Sequence, residues 1–182
     1  IVSETVTFNA SGSSPKGGTI IGYAWDFGDD GKGSGAVVTH TYSKFGTYNV
    51  TLTVTDSEGL NNTCSGPIRI LIAPVANFTY SPSTPIINET VTFNASASHD
   101  PDGTIVNYVW NFGDGNITSV SNPTICHSYT NAEIFNVTLE VIDDDGLTNK
   151  TSKVIVIYTF VPVHDVAITE VKPSAGYVYQ GN

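Results

Sequence analysis

The chain has 182 residues, enough for one large domain or two of about 90. Its 7 Lys and Arg face 17 Asp and Glu, a formal charge of -10, so no basic surface is available for phosphates or anionic lipid, and nucleic acid is not an expected partner. Charged residues make up only 13% while Asn, Thr, Ser and Gly are abundant, a composition of secreted β-rich proteins that argues against a cytosolic enzyme.

Val6-Thr-Phe-Asn-Ala-Ser11 alternates apolar and polar side chains and reads as the first strand. After Gly18-Thr-Ile20 comes Tyr23-Ala-Trp-Asp-Phe-Gly-Asp29, with Trp25 expected at the centre of a core. Gly31-Lys-Gly-Ser-Gly35 lacks the glycine two before Ser34 that a serine-hydrolase elbow requires, and it lacks the strand-to-helix setting of a phosphate loop; it reads as a flexible hairpin tip. His40-Thr-Tyr42 leads into a run in which Tyr48, Val50, Leu52 and Val54 fall on one face and Asn49, Thr51, Thr53 and Thr55 on the other. That period of two marks a half-buried antiparallel strand.

The second half repeats the first. Val6–Ser11 recurs as Val91–Ser96, a shift of 91 − 6 = 85, and Tyr23–Asp29 recurs as Tyr108-Val-Trp-Asn-Phe-Gly-Asp114. Two residues are then added, and His127-Ser-Tyr129 matches His40-Thr-Tyr42. Strands are expected over 90–94, 106–112, 135–142 and 153–158, between turns such as Asp100-Pro-Asp-Gly103 and Asp143-Asp-Asp-Gly146. No stretch has helical periodicity. The fold class is therefore all-β, tandem immunoglobulin-like β-sandwiches of about seven strands each, with Trp25 and Trp110 as core plugs. The expected units are residues 1–73, 74–160 and a tail of 161–182.

The pattern Trp25-Asp-Phe-Gly-Asp29, His40-x-Tyr42 and Gly46-x-Tyr48-x-Val-Thr-Leu-Thr-Val-x-Asp56 resembles the PKD (polycystic-kidney-disease) domain of surface proteins and secreted enzymes. The resemblance covers residues 1 to about 159 in two copies; the second departs from it at Asn111 and at Glu133-Ile-Phe135. His164-Asp-Val-Ala-Ile-Thr169 with Glu170-Val-Lys-Pro173 resembles the opening strand of a CARDB-type adhesion module, common beside PKD repeats on archaeal surfaces, which implies a third sandwich beyond Asn182.

The second copy opens with Val75-Ala-Asn-Phe-Thr-Tyr80, an edge strand with no counterpart before the first copy, which starts at the equivalent of Ile86. The uncovered edge is expected to be met either by upstream residues or by the tail 163–179 of a neighbouring copy, added as a strand. The chain lacks a starting signal segment and an apolar run near the ~20 residues of a membrane helix, and it reads as a mature or excised piece.

Nine N-glycosylation sequons begin at Asn9, Asn49, Asn61, Asn77, Asn88, Asn94, Asn116, Asn136 and Asn149. Several belong to the repeat pattern itself, so they read either as glycan carriers or as solvated strand residues; Asn49 and Asn136 should in either case point to water. Asp100, Asp102 and Asp143 lie on loops expected at one end of the second sandwich and form a candidate calcium site, a role the resemblance to collagenase PKD modules also implies. The competing reading makes these carboxylates turn acceptors. The first copy has Pro15 and Gly17 at the matching places and should not bind calcium. Cys64 and Cys126 carry no metal-site spacing and read as small buried or free thiols, or as a bridge. His40, His127, Asp26, Asp29 and Asp114 read as structural.

The reading that leads is a non-catalytic extracellular structural or adhesive protein of the cell surface, bearing N-glycans, forming an envelope or filament, with copies of itself or other surface proteins as partners. The alternative is an accessory region of a secreted hydrolase acting on polymeric substrate, which a row of exposed aromatics would favour; Tyr177 and Tyr179 are the clearest candidates.

Overall fold

A computed structural model describes residues 1–160, which contain thirteen strands and no helix. The first module contains β1 (Thr5–Asn9), β2 (Ile20–Asp26), β3 (Lys32–Ser34), β4 (Val37–Thr41), β5 (Gly46–Asp56) and β6 (Asn61–Ile70). In the second lie β7 (Thr79–Ser81), β8 (Val91–Asn94), β9 (Ile105–Asn111), β10 (Ile117–Val120), β11 (Thr124–His127), β12 (Ile134–Asp143) and β13 (Thr148–Val156). Each module pairs a four-stranded sheet, β3-β2-β5-β6 or β10-β9-β12-β13, with a smaller one, β1-β4 or β11-β8-β7. The smaller sheets differ by one strand, because among the described residues no strand of the first module corresponds to β7.

The cores follow the alternation of the sequence. In β12, Phe135, Val137, Leu139 and Val141 are buried while Asn136 faces solvent; in β5, Val50 and Leu52 are buried and Asn49 is exposed. Trp25 and Trp110 occupy the two centres at 8% and 0% exposure, each stacked against the Phe two residues on. The buried residues form two separate clusters, one per module. The positive φ of Gly28 and Gly113 is set by crowding: a Cβ there would lie 2.9 and 2.8 Å from the carbonyl oxygens of Asn49 and Asn136.

Two expectations need correction. The Gly31–Gly35 stretch is not a flexible tip: Lys32–Ser34 forms β3, in register with Ala24–Asp26, and Gly33 sits against the Phe27 ring, where a Cβ would come within 3.0 Å. The last strand starts five residues before the expected 153, at Thr148, because the tight Asp143–Gly146 turn lets Ile142 pair with Thr148 at once. Thr148–Ser152 carries no apolar alternation and stays largely exposed, so pattern alone passes over it.

Candidate functional sites

Both repeats contain the same aromatic clasp. His40 Nε2 lies 2.8 Å from Asp29 Oδ2, and His127 Nε2 lies 2.7 Å from Asp114 Oδ2. Each imidazole stacks on the motif phenylalanine, centroids 4.1 and 4.0 Å apart, and meets Tyr42 or Tyr129 edge-on at 4.7 Å. Those tyrosine hydroxyls donate to the Phe27 and Phe112 carbonyls at 3.0 and 3.1 Å. The carboxylates also accept backbone N–H groups, Gly31 to Asp29 and Asn116 to Asp114, while Asp26 accepts from Gly28 and is paired with Lys32. Burial pushes the Asp29 and Asp114 carboxyls up, but these hydrogen bonds outweigh it and hold both below the ordinary 3.8. Burial, helped by the nearby Asp29 charge, pushes Tyr42 up to about 12. The histidines thus close a structural ring. The sequence marks both the histidines and the aspartates as structural but not as partners, although the Asp and His recur together in both repeats.

The acidic end of the second module meets the first. Asp143, 2% exposed, accepts the N–H groups of Asp145 and Leu147, a turn repeated by Asp56 with Glu58 and Leu60. Asp144 Oδ1 accepts from Thr104 N at 2.6 Å, as Ser57 does from Thr19 N. These two positions are therefore turn acceptors common to both modules. Asp100, Asp102 and Asp145 are particular to the second. Asp100 Oδ1 accepts from Asp102 N, while Oδ2 is buried with no hydrogen-bond partner; burial raises this carboxyl's pKa, and the adjacent Asp102 and Asp143 add to the shift. Asp145 receives both ends of the Arg69 guanidinium, at 2.5 and 2.7 Å, across the junction. Sequence reading had no signal for this pair, which lies 76 residues apart. The orphaned Asp100 oxygen fits a hard cation, yet among the described residues no group of three or more carboxylate, imidazole or thiol ligands gathers as a metal site.

All nine sequon asparagines are exposed. Asn9 and Asn94 each accept the N–H two residues on, from Ser11 and Ser96, and Asn88 takes a left-handed conformation. Asn61 Oδ1 accepts the Thr55 hydroxyl, and Asn116 donates to Asp114. Cys64 and Cys126 are both free and exposed, neither buried nor bridged. No helix among the described residues is long and apolar enough to cross a membrane. Exposed aromatics are Phe45, Tyr158 and Phe160; Tyr177 and Tyr179, the tail 163–179 and the CARDB-like stretch lie outside the described residues.

Two sandwiches in tandem, each with the Trp-x-Phe-Gly-Asp turn locked to its His and Tyr, define a multi-module immunoglobulin-like protein. The PKD domain model matches residues 2–70 and again 71–157, and the chain belongs to the PKD-domain family. A pre-pro-metalloprotease, PrtV of Vibrio cholerae serotype O1, is 38% identical over 149 residues, covering 78% of this chain and 15% of the relative. Collagenase ColA of Clostridium perfringens is 45% identical over 71 residues, 39% of this chain and 6% of the relative. Among solved structures, the PKD1 domain of Vibrio anguillarum Epp is 36% identical, covering 50% of this chain and 99% of that one, with a TM-score of 0.43. The chain thus spans about 6–15% of the length of these two relatives.

Proposed function

We propose that the two PKD modules are a non-catalytic spacer in an extracellular hydrolase of polymeric substrate, holding a catalytic domain carried elsewhere in the polypeptide at a set distance and angle. The observation that carries this reading is the 149-residue match to a metalloprotease, which runs through both modules rather than one and so preserves their tandem order. The Arg69–Asp145 fork supports it, because a spacer needs a defined joint and this pair ties one module to the next. Tyr158 and Phe160, both exposed at the end of the second module, suit contact with a polymer surface. The test is a co-sedimentation assay of the chain on insoluble collagen together with its sedimentation velocity. A monomer that pellets with the fibre supports the spacer of a hydrolase; self-assembled fibres seen by electron microscopy, without collagen binding, contradict it.

A second reading, the glycosylated structural or adhesive surface protein, is favoured by one observation: nine sequons, every asparagine exposed. Intact-mass measurement of the native protein checks the decoration; a mass equal to the bare polypeptide removes that support.

We also propose that calcium acts at the Asp100, Asp102 and Asp143 end, where it would satisfy the orphaned Asp100 oxygen and stiffen the junction. Titration calorimetry of the chain should give a saturable heat that Asp100→Asn abolishes; absence of heat in the parent chain contradicts it.

A further inference from the structure

The loop that follows the histidine clasp differs between the modules. Tyr42-Ser-Lys-Phe-Gly-Thr-Tyr48 in the first becomes Tyr129-Thr-Asn-Ala-Glu-Ile-Phe135 in the second, at the same length. The end rings keep their places: Tyr48 lies 4.4 Å from Tyr42, and Phe135 4.4 Å from Tyr129, centroid to centroid. What changes is the hydroxyl. Tyr48 donates to the Lys44 carbonyl at 2.9 Å and so closes its own loop. Phe135 has nothing to donate, and the matching Asn131 carbonyl loses that partner.

A cleft of about 360 Å³ opens at this place, bordered by Phe135, Asp114, Asn116, Ser128, Asn131 and Glu133. Tyr129 is buried, and Thr130 on its far side from Ser128 also lines the cleft. Glu133 stands where the first module has Gly46. Its backbone carbonyl accepts from Ile157 N at 2.9 Å, which fixes the residue. Its carboxylate is exposed and enters none of the ion pairs among the described residues. Asp114 is a fixed wall, since Asn116 N, Asn116 Nδ2 and His127 Nε2 lie on its oxygens. Asn116 therefore has its Oδ1 left to accept.

These groups select a ligand. No Lys, Arg or His side chain borders the cleft while two carboxylates do, so phosphates and acidic sugars are repelled. Only Glu133 offers an uncommitted carboxylate, too little for calcium, which takes about six to eight oxygens. An ammonium group only donates and would leave the Asn131 amide and the two hydroxyl donors unmatched. A mixture of hydroxyls, amides and a carboxylate suits groups that donate and accept at once, as the hydroxyls of a neutral sugar do. The volume lies at the small end of ligand pockets, roughly 300–1,000 Å³, and fits one sugar ring rather than a chain of them.

We propose that this cleft binds one neutral hexose residue of a polysaccharide, with the Glu133 carboxylate accepting from sugar hydroxyls and Ser128, Thr130 and Asn131 completing the contacts. The second module then holds a polymer by itself, a role beyond that of a spacer and independent of any catalytic domain.

The test titrates the isotope-labelled full chain with the methyl glycosides of glucose, galactose and mannose and follows backbone amide signals by NMR. At least one glycoside should give saturable shifts at Ser128, Asn131 and Glu133 with a Kd on the order of 1 mM, and leave the matching Ser43, Lys44 and Gly46 unmoved. Glu133→Ala should weaken binding about tenfold through loss of a charged acceptor. Phe135→Tyr copies the first module, so it should keep the fold, close the cleft and bind nothing. Absence of a saturable shift with every glycoside up to its solubility would overturn the proposal. So would shifts at these residues with calcium chloride or N-acetyl-lysine methylamide but not with the glycosides, or a Phe135→Tyr chain that binds as the parent does.

Discussion

Asp29 and Asp114 act through their partners rather than through exposed charge. Each carboxylate holds a histidine against a buried phenylalanine, and that ring in turn carries the tyrosine that ties down the motif carbonyl. Removing the Tyr129 hydroxyl by Tyr129→Phe leaves the Phe112 carbonyl without this partner, and urea denaturation should show a loss of about 1–3 kcal/mol. Both aspartates have folded pKa values below the ordinary 3.8. Their contribution is therefore present above the unfolded aspartate pKa and lost as pH falls through the lower folded value. Asp114→Asn should flatten the acid limb of thermal stability below about pH 5, as read by circular dichroism; an unchanged acid limb would count against the pair. At Gly113, Gly113→Ala would force a Cβ against the Asn136 carbonyl at positive φ, and a loss of about 1–3 kcal/mol is expected in the same denaturation assay.

At the scale of elements, β12 and β5 have one pattern but different cover. Leu139 lies fully buried in the second core, whereas Leu52 borders an open groove. Leu139→Ala should cost about 3–5 kcal/mol and Leu52→Ala nearer 2, because only the first leaves an enclosed cavity. Equal losses in calorimetric unfolding would mean that the first module is covered as well as the second. Most strands were legible because a period of two survives in any sheet with one buried face; Tyr48 to Val54 and Phe135 to Ile142 are the clearest cases. β3 escaped notice because three residues flanked by glycine carry no alternation, and Gly33 makes its contact by having no side chain. Of the candidate sites, the exposure of Asn49 and Asn136 followed from that same alternation. The acidic loops did fall at one end, but Asp143 and Asp144 are turn acceptors whose roles show only beside Asp56 and Ser57. The Arg69–Asp145 pair depends on how two modules meet, and no local pattern encodes that.

The whole molecule has two separate cores, and the Arg69–Asp145 ion pair spans the junction between them. The guanidinium is half-exposed, at 51%, so solvent screens the ion pair and it adds little to folding. Its effect lies in orientation. Arg69→Ala should leave the melting temperature nearly unchanged while broadening the range of angles between modules, and raised salt should act on the parent chain in the same direction. The native thiols offer the most direct measurement, since Cys64 lies on the first module, Cys126 on the second, and both are free and exposed. Spin labels on these two cysteines report the inter-module distance by pulsed electron resonance. A single narrow distribution that widens in Arg69→Ala is the predicted result; a broad distribution in the parent chain would contradict a spacer with a fixed joint.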